Sequence, residues 1–212
     1  MRLFLFLCFA CAIITTPPIQ DADDEANLGA ATGLLKWFHD VEHDAGQTFT
    51  PSANLMLNSY TFQVGRKNDN DHADEWLKFR LGTIDRSGGF DFVDIYEEEA
   101  HWDMDWAQGD YVTITLDTPQ ALAGGVEYGV IQDAQQMGNW NGPGIPYLNE
   151  NADSSYAGGN AIGRGGQRSR DLIFHTNLTA ATGGGGGVPE PATATLALLG
   201  LGGLMMRRRR NA

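Results

Sequence analysis

Apolar and polar residues alternate strictly in several short stretches of the middle of the chain. Leu77, Phe79 and Leu81 are apolar, and the residues between them are basic. Such period-two alternation predicts a β-strand with one buried and one solvated face. Strands of this kind build antiparallel sheets, because the strands of parallel sheets are apolar on both faces.

The same pattern recurs in Tyr111–Leu116, where Val112, Ile114 and Leu116 alternate with hydroxyl-bearing residues. We therefore predict an all-β fold, a single antiparallel β-sandwich over residues 47–182, in which these six apolar side chains are buried. Turn-forming residues separate the predicted strands. These strands are Gln47–Thr50, Leu55–Val64, Leu77–Leu81, Phe90–Tyr96, Tyr111–Leu116, Val126–Gln132 and Asp171–Leu178.

Two regions interrupt this pattern. Residues 21–46 are predicted to form a lead-in to the sandwich, and its acidic stretch Asp21–Asn27 is predicted to be loose. An apolar group at 34–41 has the spacing of a short amphipathic helix, with a strand as the alternative. Residues 133–170 are rich in Gly and Asn and predict a long loop.

A further motif lies between two predicted strands, at Leu122-Ala-Gly-Gly125-Val-Glu-Tyr128. Its spacing matches a tyrosine corner, in which a tyrosine near the start of a strand bonds back to the preceding turn. A plain turn followed by a buried tyrosine is the alternative.

The C-terminal segment has its own physical pattern. Residues 183–187 form a flexible glycine linker, residues 192–206 carry no charge, and Arg207, Arg208, Arg209 and Arg210 follow. Residues 188–206 are just long enough to span a bilayer core as a single transmembrane helix, with the arginines on the cytoplasmic side. Pro189 and Pro191 place the start of this helix at or after residue 191.

Val188-Pro189-Glu190-Pro191, the apolar run and the arginine cluster together resemble the PEP-CTERM sorting signal of Gram-negative bacteria. The resemblance covers residues 188–212. It implies recognition by an exosortase, removal of the tail, and release to the cell surface or the extracellular matrix, where such proteins accompany exopolysaccharide and biofilm. The body from Gly46-Gln-Thr-Phe49 to Tyr128 also resembles the jelly-roll or choice-of-anchor sandwiches that are often joined to such tails.

Residues 1–20 are predicted to be a secretory signal peptide. Arg2 precedes an apolar run, Leu3–Ile14, which is too short for a stable membrane span, and small residues Ala10 and Ala12 lie near its end. Cleavage after Ala12 or closer to Gln20 remains open. Both cysteines lie inside this leader, so the mature protein is expected to have no disulfide.

The chain has 27 Asp and Glu against 14 Lys and Arg, a net charge of −13. Such an acidic surface excludes nucleic acid and anionic lipid as partners, because both require a basic face. Cations and neutral polymers such as polysaccharide are compatible partners.

Two catalytic patterns are present. His39-Asp40-Val41-Glu42-His43 fits the inverted zinc-protease motif, with two histidines for zinc and a glutamate base. Glu97, Glu98 and Glu99 precede further acidic residues, and a glycosidase needs two carboxylates across its site. Solvated acidic segments explain both patterns better, so we expect no enzyme; a secreted glycosidase or metalloprotease is the alternative.

Two binding patterns remain. An acidic loop that would suit calcium, which takes six to eight oxygen ligands, is the only cofactor candidate; its residues are Asp69, Asp71, Asp74 and Glu75. Aromatic residues of the loops offer flat faces for sugars, although such rings often pack on the core instead. They are Trp102, Trp106, Trp140, Tyr147 and Tyr156. We predict a non-catalytic exported surface or matrix protein with polysaccharide as its candidate ligand.

Overall fold

The computed structural model describes residues 11–36, 45–66, 76–101, 107–133, 147–151, 156–163 and 166–181. Residues 1–180 form one compact unit, to which the described strands belong, and residues 181–212 form a second. Within the described ranges the fold is all-β, and no helix there is long and apolar enough to cross a membrane. The predicted membrane helix and the glycine linker lie outside these ranges.

The described strands form two sheets, and every pairing between them is antiparallel. The eight-stranded sheet, called the first sheet, contains β1 (Cys11–Ile14), β2 (Ala26–Asn27), β3 (Gly33–Lys36), β5 (Leu55–Arg66), β8 (Tyr111–Leu122), β10 (Tyr147–Asn151), β13 (Asp171–Leu172) and β14 (Phe174–Ala180). The six-stranded second sheet contains β4 (Ala45–Phe49), β6 (Trp76–Asp85), β7 (Asp91–His101), β9 (Tyr128–Asp133), β11 (Ala161–Gly163) and β12 (Gly166–Gln167).

Successive strands from β3 to β10 change sheet at each step except between β6 and β7, which form a hairpin. As a result, four strands of the first sheet lie side by side in the order β3-β10-β5-β8. In the second sheet the corresponding order is β4-β9-β6-β7. Buried apolar side chains of both sheets form one cluster, which is the core between the sheets.

Antiparallel strands occur at all seven predicted positions. The predicted strand Asp171–Leu178 is divided into β13 and β14, and β6, β7 and β8 extend four to six residues beyond their predicted ends. Phe79, Leu81, Val112, Ile114 and Leu116 are buried as predicted. The side chain of the sixth residue, Leu77, lies outside the described part. Around them pack other large apolar side chains, including Phe49, Tyr60, Phe62 and Phe174.

The predicted corner between β8 and β9 is also present. The hydroxyl oxygen of buried Tyr128 accepts a hydrogen bond from the backbone N–H of Ala123, at 2.8 Å. Gly125 has a φ of 76°, a left-handed conformation that favours glycine. Its N–H donates to the carbonyl of Pro51 at 2.8 Å, so the corner is tied to the segment that leads into β5.

Three expectations for the irregular regions are corrected. Residues 33–36 form a strand that pairs with β10, which is the alternative to the helix predicted at 34–41, and residues 37–41 lie outside the described ranges. The predicted loop at 133–170 contains β10, β11 and β12. The acidic stretch 21–27 is not loose, because Asp24 and Asn27 are buried and residues 26–27 pair with β14.

Candidate functional site

The outer face of the first sheet carries a group of uncharged polar side chains, which we call the polar face. Ser59 pairs with Thr115 on one side and with Asn177 on the other, so these three form a row across β8, β5 and β14. A second row contains Thr113, Thr61 and His175. The polar face consists of the accessible members of this region, Asn58, Ser59, Thr113, Thr115, Asn177 and Thr179.

Hydrogen bonds hold these side chains in position. The hydroxyls of Thr61 and Thr113 are bonded at 2.8 Å across β5 and β8. The amide of Asn58 donates to the side-chain oxygens of Asn177 and Thr179, both at 3.1 Å. A sheet surface lined by hydroxyls and amides offers donors and acceptors at the regular spacing of strands, about 4.8 Å apart.

An N-terminal segment, residues 20–27, is bound along β14; we call it the strap. Asp24 is its main anchor. The Asp24 carboxylate lies 2.9 Å from Nε2 of His175 and accepts the backbone N–H of Leu178 at 2.7 Å and of Asp21 at 2.9 Å. Both Asp24 and His175 are buried, so this carboxylate depends on its three partners in place of water.

The next residue of the strap, Glu25, reaches the core. Its backbone exchanges hydrogen bonds with Thr176, and its carboxylate accepts the Tyr156 hydroxyl at 2.9 Å. Burial raises the pKa of Glu25, and the bond from Tyr156 partly opposes that shift. Burial, and secondly the Glu25 charge, raise the pKa of Tyr156.

The acidic group of β7 faces a different environment. Glu97 lies on the exposed side, 3.4 Å from the amine of Lys78. Glu98 is half-buried, and its Oε2 accepts the Tyr96 hydroxyl at 2.5 Å and the backbone N–H of Asp117 at 3.1 Å. Burial raises the pKa of the Glu98 carboxyl. The Lys78 contact joins β7 to its neighbour β6, and the Asp117 contact joins β7 to β8 of the first sheet, so these contacts account for Glu97 and Glu98 as parts of the fold.

Of the residues singled out in the sequence, two aromatic ones are described. Tyr156 is partly buried, with its ring 5.1 Å from that of Phe174 in an edge-on contact. Tyr147 is half-buried at the start of β10. The ring of Tyr156 thus has a packing role, whereas its predicted sugar-binding role stays a prediction.

The other predicted site residues lie outside the described ranges. They are the calcium candidates Asp69, Asp71, Asp74 and Glu75, the zinc-motif residues His39, Glu42 and His43, the aromatics Trp102, Trp106 and Trp140, the processing motif 188–191 and Arg207–Arg210. Within the ranges that are described, no group of three or more His, Cys, Asp or Glu side chains is placed to hold a metal.

The sequence patterns predicted neither the polar face nor the strap. Alternation in β5 and β8 reveals the outward Ser and Thr positions of each strand, but the rows across β8, β5 and β14 depend on the register of the strands and have no signal in the sequence. The strap has no such signal either, because Asp24 and His175 are 151 residues apart along the chain.

The described domain is an all-β, sandwich-like body of two antiparallel sheets, and a separate sorting sequence accompanies it. Residues 187–210 match the family model described as the PEP-CTERM protein-sorting motif. The motif marks a protein sorted through its C-terminal tail, and it implies export and recognition by an exosortase processing enzyme. No curated protein and no solved structure has significant similarity to this chain.

Proposed function

We propose that this chain is a non-catalytic protein of the cell surface or extracellular matrix of a Gram-negative bacterium, and that its sandwich binds neutral polysaccharide. The PEP-CTERM motif at residues 187–210 is the observation that carries the surface location. In this proposal the N-terminal leader starts export and the uncharged run 192–206 stops it as a transmembrane helix. Processing near residues 188–191 then frees the domain.

The arginine cluster explains why the tail stops in the membrane during export. Moving Arg207–Arg210 into hydrocarbon costs at least about 2.5 kcal/mol for each arginine, so the cluster stays in the cytoplasm. The glycine linker at 183–187 lets the processing motif lie at the membrane surface, clear of the domain.

The sandwich is of the jelly-roll type in this proposal. Its support is the way in which β3 to β10 alternate between the sheets, with the β6–β7 hairpin as the exception. Two four-strand sets that interleave in this way fit the double Greek key of that fold.

The polar face supports a neutral polymer as the ligand. Its six residues are uncharged on a chain of net charge −13, so a uronate-rich or sulfated glycan would be repelled by the surroundings while a neutral one would not. Hydroxyls and amides can exchange hydrogen bonds with sugar hydroxyls. The aromatics Trp102, Trp106 and Trp140 remain candidate stacking residues for a sugar ring.

The location is tested by replacing Pro189, Glu190 and Pro191 with alanine in a host that has the cognate exosortase. We expect the protein to reach the membrane but to stay there, because the apolar run and the arginines are intact. The matched control replaces Arg207–Arg210 with lysine, which keeps the charges and the processing motif. Release of the alanine variant at the wild-type rate, measured by fractionation and intact mass, would refute processing at this motif.

Ligand binding is tested by electrophoresis of the released protein through gels that contain neutral or uronate-bearing polysaccharides. We expect retardation by neutral polymers, and its loss in the variant Thr115→Asp/Thr179→Asp. The control Val93→Asp/Ile95→Asp adds the same charge to exposed positions of β7. Equal loss in both variants would argue against the polar face, and hydrolysis of any polymer would favour the hydrolase alternative.

A further inference from the structure

The outer edge of β8 is covered by the leader. β1 pairs antiparallel with β8, with Cys11 opposite Ile114 and Ile14 opposite Tyr111. β8 pairs on its other side with β5, so β1 is the last strand at this end of the first sheet. Between Asp110 and Asp117, β8 has six uncharged residues, Tyr-Val-Thr-Ile-Thr-Leu, rich in the β-branched and aromatic types that favour strands.

The strap does not depend on β1. Residues 15–20, which connect the two, are mostly exposed, and the anchors at Asp24, Glu25 and Asn27 are all made to β13 and β14 or to residues near them. Removal of the leader would therefore leave the strap bound and would unpair only those backbone groups of β8 that face β1, since the others pair with β5.

The other edges of the described sheets are protected in other ways. β7 carries five acidic residues, Asp91, Asp94, Glu97, Glu98 and Glu99. β2, β12 and β13 have two residues each, and β3 has four and ends in Lys36. Charge and short length are the usual devices that prevent a strand edge from pairing with another chain. The 111–116 stretch of β8 has neither of them.

The pairing with β1 shows that this edge accepts an antiparallel strand, and we propose that after loss of the leader during export it pairs with β8 of a second copy. The inference rests on the export pathway of the proposed function. Two identical strands related by a two-fold axis are self-complementary, and the product is one continuous sheet through both molecules. The edge matches an uncharged strand such as its own, whereas two acidic β7 edges repel each other.

The dimer is expected to be weak and sensitive to salt. Pairing of six residues buries less than the roughly 1,200 Å² of a stable specific interface, so association depends on the high local concentration of a surface layer. Both copies carry a net negative charge, and added salt screens their repulsion. Association therefore strengthens with ionic strength.

The test measures self-association of the released protein by sedimentation velocity, with hydrogen exchange of the β8 amides. We expect a concentration-dependent dimer in which those amides of residues 111–115 that point away from β5 become protected. A synthetic peptide of residues 11–16 should compete and raise the monomer fraction, while a scrambled peptide of the same composition should not. Thr115→Glu adds a charge at the edge and should weaken the dimer about ten-fold.

The matched control is Thr179→Glu, which adds the same charge to an exposed position of β14 and should leave the dimer unchanged. A monomer at every concentration, or equal weakening by both substitutions, overturns the inference. Protection of β8 amides in crude surface material but not in the purified protein would identify a foreign strand as the occupant, which also overturns it.

Intact mass separates this inference from the proposed function. A released protein that begins after residue 14 and stays monomeric refutes only the pairing of β8. A released protein that still contains residues 11–14 contradicts leader removal and the opening of the edge together.

Discussion

The strap on β14 and the β6–β7 hairpin both use acidic residues, but in opposite surroundings. In the strap, Asp24 and His175 are 2.9 Å apart with side-chain exposures of 0% and 5%. In the hairpin, Arg80 and Asp94 are 2.6 Å apart, with exposures of 21% and 43%. The closer pair is the more exposed one, so distance alone does not show which contact contributes more to stability.

Water makes the difference between them. If the hairpin pair is broken, solvent replaces each partner, and such exposed pairs contribute about 0–1 kcal/mol. If Asp24 is lost, buried donors on His175 and Leu178 lose their acceptor in a place that is inaccessible to solvent. The comparison indicates that this acidic protein is stabilised by a few buried carboxylates, while its many exposed ones serve solubility.

The largest expected effect is that of Asp24→Ala, which we predict to lower the free energy of unfolding by about 3 kcal/mol. The reason is the loss of one acceptor for three donors. Urea denaturation of the purified domain measures it. Asp23→Ala removes the same charge from the adjacent exposed residue and should change stability by less than about 0.5 kcal/mol. Similar losses in both variants would mean that the strap is held by net charge rather than by these bonds.

A smaller effect, with a defined pH dependence, is expected at Glu25. Burial raises its pKa in the folded state, so the folded protein holds this proton to higher pH than the unfolded chain does. The stability from this group is therefore complete below the unfolded pKa and is lost as pH rises through the folded pKa. Glu25→Gln keeps an acceptor for Tyr156 without the charge, so it should stabilise the protein at neutral pH and flatten this fall.

Urea denaturation from about pH 4 to about pH 8 compares the two profiles. Glu97→Gln is the control, since it removes a charge from an exposed position of β7. A Glu25→Gln variant that is less stable than wild type at neutral pH would show that the ionised carboxylate is needed by the strap.

The same contrast explains what the sequence could predict of the fold. The strands β5, β6 and β8 have mostly apolar residues on one face and mostly polar residues on the other, so the alternation of the two types identifies them. β10 was hidden because it buries polar residues. Asn149 donates to Gln63 at 2.8 Å and to the Val64 carbonyl at 3.2 Å, and buried Glu150 accepts from Arg170. Partners this distant in sequence leave no local pattern, so the strand was predicted as part of a loop.

The candidate sites also differ in whether their residues are contiguous in the sequence. The sorting motif is recognised from contiguous residues, Val188–Pro191 with the run and arginines that follow, and no fold is needed to find it. The polar face needs the register of three strands, since Ser59, Thr115 and Asn177 become neighbours only through pairing. Sequence reasoning favoured loop aromatics because a ring is visible by itself, whereas a row of hydroxyls is visible only in the sheet.

The smallest effect on stability is expected at the acidic edge of β7. In Glu97→Thr/Glu99→Thr, a weak exposed contact with Lys78 is lost and two good strand formers are gained, so the free energy of unfolding should change by no more than about 0.5 kcal/mol. Self-association should nevertheless increase, because charged side chains on an edge strand oppose pairing with another molecule. Light scattering over time at low and high salt measures this self-association, and urea denaturation measures the stability.

The control Asp21→Thr/Asp23→Thr makes the same change in net charge on the strap, where both side chains are exposed. Faster association of the β7 variant alone would assign the effect to the edge. A loss of stability comparable with that of Asp24→Ala would instead contradict the view that exposed carboxylates here serve solubility and buried ones serve the fold.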